Sequence, residues 1–107
     1  VLPPEEQRPW QEQAAHLGSG SAATAIVEAD ESAGELERAY AWAWFARWVA
    51  SHACDFMPRV SDYAMAAQQL ARIGARLHPP ARQRAEHAGV TMISRHGAGA
   101  LAATGCS

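Results

Sequence analysis

The densest group of chemistry-bearing side chains in the 107-residue sequence is His52-Ala53-Cys54-Asp55. Imidazole, thiol and carboxylate are the types that zinc sites and nucleophilic catalysis draw on, with an acid available to orient the base. Neighbours in sequence rarely converge on one point, however. No second cluster has metal-ligand spacing, because His16, His78, His87 and His96 are scattered. A metal-binding or catalytic role for His52, Cys54 and Asp55 is therefore the alternative reading and a structural role the leading one. Glu28, Asp30 and Glu31 fall at a helix end and turn, where a solvated face is expected rather than paired-carboxylate chemistry. No GxSxG, P-loop or GxGxxG motif occurs, so nothing argues positively for catalysis, and no cofactor is implied.

Cys54 and Cys106 are the two cysteines, too few for a disulfide scaffold. The sequence starts at Val1. A processed N-terminus there would put the mature chain in an oxidising compartment, periplasmic or secreted, and Cys54 would then be expected to pair with Cys106. Such a bridge closes a loop of about fifty residues and is worth roughly 4 kcal/mol on the chain-entropy argument. In a cytoplasmic protein Cys54 would instead be a small buried residue and Cys106 a free thiol. Both alternatives stand.

The elements that must position these groups are helical. Ala makes up about a quarter of the chain, and only eleven residues are Val, Ile or Thr, too few and too scattered for a sheet. An apolar fraction of 49% against 19% charged argues for one ordered domain, and 107 residues suffice for one core and not two. No apolar run approaches the ~20 residues of a membrane span. The expectation is an all-α domain over residues 9–95, a small antiparallel bundle of four to five helices. Residues 1–8 are expected as an extended lead-in and 96–107 as a loose Gly/Ala-rich tail.

Along the chain, Pro9 can open a helix that stops at Gly18. Ser21 is a candidate cap for a second helix over 22–29. Ser32-Ala33-Gly34-Glu35 matches the capping box and predicts a helix over 33–53. Its residues Leu36, Tyr40, Trp44 and Trp48 recur every four positions, and Trp42, Phe45 and Val49 make it apolar nearly all round, as in a central helix. The sharper use of the same stripe is partner binding, with Trp42 and Phe45 as its candidates. Pro58 breaks the pattern. Val60, Tyr63, Ala67, Leu70, Gly74 and Leu77 then form a seam for a helix over 58–78, expected to pack Ala67 and Leu70 against Trp44 and Trp48. A short helix over 80–88 follows Pro79-Pro80.

Charge is divided. Residues 1–58 carry a formal −6 and residues 59–107 a formal +4, and all nine basic residues are Arg. The polarity suggests that the acidic half docks on the basic half, within one chain or between two, so a homodimer is possible. Arg72 and Arg76 join the partner-binding candidates. The Arg residues lack interleaved aromatics or a reading module, so no nucleic-acid binding is expected.

Within residues 35–50, Glu35-Leu36-Glu37-Arg38-Ala39-Tyr40-Ala41-Trp42-Ala43-Trp44-Phe45-Ala46 resembles the second helix of Sel-one-like repeats, relatives of the tetratricopeptide repeat, with Ala39 and Trp42 in the AxxW core pattern. Leu17-Gly18 is similar to the family's Leu-Gly in the first helix. Leu70–Pro79 followed by Arg82–Glu86 resembles the closing helices of such arrays. No second full repeat follows. The resemblance implies helical hairpins that bind proteins and carry no catalytic residues of their own. The expected function is thus that of a small non-catalytic protein-binding domain, an adaptor, inhibitor or immunity-type partner, with a structural subunit of a homo-oligomer as a further alternative.

Overall fold

A computed structural model describes residues 3–106 as five helices: α1 (Pro4–His16), α2 (Gly20–Ser32), α3 (Leu36–His52), α4 (Val60–Gly74) and α5 (Pro79–Ala103). No strand occurs among the described residues, so the all-α bundle is the fold. Successive helices alternate in direction. Tyr40 reaches Glu86 and Trp44 meets Gly89 further along, so α3 and α5 run parallel. His16 against His96 gives α1 the same direction, while α2 and α4 run the other way.

The nearly uniform apolarity of α3 predicts a central helix, and α3 is packed by α2, α4 and α5. Its Ala39, Tyr40, Ala41, Trp42, Ala43, Phe45 and Val49 are buried. Around it close Ala15 of α1, Ile26 and Val27 of α2, Leu70 and Ile73 of α4, and Ala85 and Ala100 of α5. Each large side chain buried this way contributes roughly 1.5–3 kcal/mol.

The expected pairing of α3 with α4 exists and keeps Leu70, but Ala67 is only half-buried and Trp44 and Trp48 lie elsewhere. Trp44 lies over Gly89 and Trp48 over Gly97, both on α5. The face of α4 that meets α3 is Ala66, Leu70, Ile73 and Gly74, with Tyr40 packed on Gly74. The seam is thereby rotated: Val60 and Tyr63 are exposed. Glycine lets an indole approach the α5 backbone more closely than any Cβ would allow, which the spacing of apolar residues on α4 does not reveal.

Helix ends account for the other differences. Gly18, Gly34 and Gly105 have φ of 94°, 78° and 105°. Each closes the same motif. The glycine N–H bonds a carbonyl three residues back, and the next N–H bonds one five residues back: Gly34 to Glu31 (3.1 Å), Glu35 to Asp30 (2.8 Å). These are Schellman endings, and they dictate a left-handed residue. Ser32-x-x-Glu35 is therefore the end of α2 and not a capping box, and α3 starts at Leu36 with no side-chain cap. The cap of α2 is Ser19, whose oxygen accepts from the Ala22 N–H at 3.2 Å, in place of Ser21.

Two boundary expectations are corrected. Residues 4–8 are helical, with Pro4 and Glu5 and Glu6 in the first turn, where Pro and acidic residues suit a helix start; Val1 and Leu2 of the lead-in lie outside the described residues. The supposed tail is the second half of α5, which continues to Ala103; only Ser107 lies outside the described residues. Burial against Trp48 and at Ala100 outweighs the weak propensity of Gly97 and Gly99.

Candidate functional site

The trio singled out first does not converge. Cys54 is bonded to Cys106, with Cα atoms 5.1 Å apart. Asp55 is bound by the Arg59 guanidinium. His52 stacks on Trp48, ring centroids 4.7 Å apart. Among the described residues no three His, Cys, Asp or Glu side chains are grouped to hold a metal. The bridge is placed by two features: Ala53 turns extended at the end of α3, and the Schellman turn at Gly105 brings Cys106 back beside it.

Trp42 and Phe45 are 4% and 0% exposed, so neither can face a partner; they are core. Trp42 packs edge-on to Phe45 and stacks on His16. Arg72 and Arg76 are on the surface, and both turn to Glu31. Arg72 donates to it twice, at 2.7 and 2.9 Å, and Arg76 stands 3.8 Å away. Arg84 binds Glu37 in the same forked way. These bonds hold Glu31 and Glu37 below the usual carboxylate range. The acidic half thus docks on the basic half inside one chain.

Three features were not foreseen from the sequence. The first is Asp30, expected on a solvated face with Glu28 and Glu31 but in fact 2% exposed, because Arg8 at 2.9 and 3.0 Å and Arg38 at 3.3 Å compensate its charge. It ties α1, α2 and α3 together, a buried carboxylate compensated by paired charge. The second is a cleft of about 360 Å³ between α1 and α5, floored by Trp42 and walled by Arg8, Glu12, Arg84 and Met92. Its charges largely cancel in pairs. In an adjoining pocket, which shares Trp42, Ala88 and Met92 with this cleft, His16 stacks on His96. Burial first, and His96 second, push the His16 imidazole below its ordinary value, while Glu12 opposes them.

The third is the α3–α4 loop. Phe56 is 98% exposed, Met57 68% and Val60 72%, and Tyr63, one turn beyond Val60, is exposed too. Leu17 is exposed at the same end of the bundle. Large apolar side chains this open, four of them within residues 56–63, mark an interaction surface more often than scattered single ones do. The loop beneath them is fixed at both ends. On one side the Cys54–Cys106 bridge holds it, and the Cys54 N–H donates to Thr104 Oγ1 at 3.1 Å. On the other, Arg59 donates to Asp55 and to the carbonyl of Gly18, joining the loop to the α1–α2 turn. The signal in the sequence was available: Phe and Met beside a Pro, in a segment with no helical period to bury them. Comparison of the chain with models of known protein families, with curated proteins and with solved structures returned no match, and the functional reading rests on the arrangement of these residues.

Proposed function

We propose that the chain is a small non-catalytic protein-binding domain, of adaptor, inhibitor or immunity type, which docks on its partner protein through Phe56, Met57 and Val60. The carrying observation is an exposed apolar knob on a loop anchored at both ends. A loop ordered before binding loses little entropy on association, and an aromatic beside a methionine is the composition of an interface core. The partner surface that fits is a concave apolar pocket. The resemblance of residues 35–50 to protein-binding helical repeats supports the same class. The bridge supports an oxidising compartment, periplasmic or secreted, as the place of work.

Site-specific photocrosslinking in the source cell tests this. A benzophenone side chain at position 56 should capture one discrete protein, and the same probe at exposed Val90 on α5 should not. The double variant Phe56→Ser, Met57→Ser should abolish binding to the captured protein while leaving helicity and the unfolding midpoint unchanged. Capture at both positions alike, or undiminished binding by the double variant, would refute the reading. A captured second copy, with dimerisation lost in the variant, would assign the knob to self-association instead.

A further inference from the structure

We propose that His16 and His96 form an acid-released clasp that holds the second half of α1 on α5. The geometry carries it. The two ring centroids are 3.6 Å apart with planes within 9° of parallel. His16 also stacks on Trp42 at 5.0 Å and meets the edge of Phe45 at 6.0 Å. Neutral imidazoles pack well in this arrangement. Two imidazolium ions at that distance disfavour each other several-fold even at the dielectric of water, and far more where the rings shield one another.

The surroundings do little to offset that repulsion. On α1 the facing acid is Glu12, one turn earlier, and Arg8 already holds it at 2.6 Å. On α5 the neighbour lining the same cleft is Arg95, a further positive charge. From α3 come Trp42 and Phe45, which are uncharged. Two other tethers hold α1, Arg8 to Asp30 two turns toward its start and Arg59 to the Gly18 carbonyl just past its end, so release at His16 loosens the turns between them while both ends stay attached.

The sign follows from which state takes up protons. In the closed clasp His16 is held below its ordinary value by burial and then by His96. Once released, its imidazole returns to about 6.5. The closed form is therefore fully favoured above about pH 6.5 and loses ground as pH falls below it. An acidified compartment would loosen α1 and uncover Trp42, the floor of the cleft.

Amide hydrogen exchange of the whole oxidised chain, with protection factors corrected for the intrinsic pH effect, tests the clasp. Between pH 7.5 and 5.5 protection over residues 12–18 should fall, by at most about tenfold, the limit for one imidazole whose proton is excluded while closed, and protection in α4 should not change. The double variant His16→Phe, His96→Phe keeps two flat rings without a titrating group and should show no such fall. Flat protection in the native chain, or an equal fall in the variant, overturns the proposal. Should the variant not fold, imidazole NMR of the native chain decides. Both rings fully protonated while α1 stays protected would overturn the clasp, and protonation that tracks the loss of α1 protection would sustain it.

Discussion

Gly89 sits where α5 crosses Trp44, and an alanine there should cost stability although alanine is the better helix former. A Cβ built at Gly89 falls 2.7 Å from the Trp44 Cβ and 2.9 Å from its Cγ and Cδ1. That is about 0.7 Å short of the 3.4 Å at which ordinary contact begins. The Trp44 Cβ is fixed to the α3 backbone and cannot swing aside, so one helix must move. Overpacking of this kind costs roughly 1–3 kcal/mol, against a gain of about 0.5–1 kcal/mol in helix propensity. Gly89→Ala should therefore lose about 1–2 kcal/mol, or some 5–10 °C in Tm for a domain this size. Gly99 provides the control on the same helix. Nothing lies within 4 Å of its added Cβ, so Gly99→Ala should gain about 0.5–1 kcal/mol. Urea unfolding of both variants, with the disulfide intact, gives the comparison. If Gly89→Ala is as stable as Gly99→Ala, the close approach of α3 and α5 does not exist.

Two further outcomes are expected. Replacing Cys54 and Cys106 by Ser should lower stability by about 4 kcal/mol, because the bridge spans a sequence separation of 52 residues, and denatured, unreduced native protein should yield no free thiol. Ser19→Ala should cost about 1 kcal/mol through loss of the bond from Ala22, whereas Ser32→Ala should leave the urea midpoint where it is, since Ser32 caps nothing.

The parts of the fold legible in the sequence were those set by local composition. Abundant Ala, few β-branched residues and a helix apolar on all sides were enough for an all-α bundle with residues 36–52 at its centre. Pro58 and Pro79 marked real breaks. What misled was local pattern without its tertiary context. Ser32-x-x-Glu35 reads as a start until Gly34 is seen to need a positive φ, which makes it a stop. The last stretch of α5 looks formless because Gly97 and Gly99 weaken it, and only the indole of Trp48 above Gly97 shows why glycine stands there. Of the site, the cysteine pairing could be framed as an alternative, but the stacked imidazoles could not. His16 and His96 are eighty residues apart, and no spacing rule connects the end of one helix with the interior of another. Trp42 and Phe45 share one limitation of such reading: an aromatic stripe looks the same whether it faces a partner or a neighbouring helix.

The bridge between Cys54 and Cys106 also governs how the molecule would bear load. It closes α4 and α5 into a covalent ring and leaves α1, α2 and α3 on an open strand. Tension applied between Pro3 and Cys106 would run through residues 3–54, cross the two sulfurs and leave, so that no force passes along the ring. Fully drawn out, the open strand spans ~180 Å, about half of what the same chain would reach with the bridge cut. Under a pull, α3 would peel away from α5 from its first turn onward, and the knob at Phe56 and Met57 would stay on the unstretched side of the join.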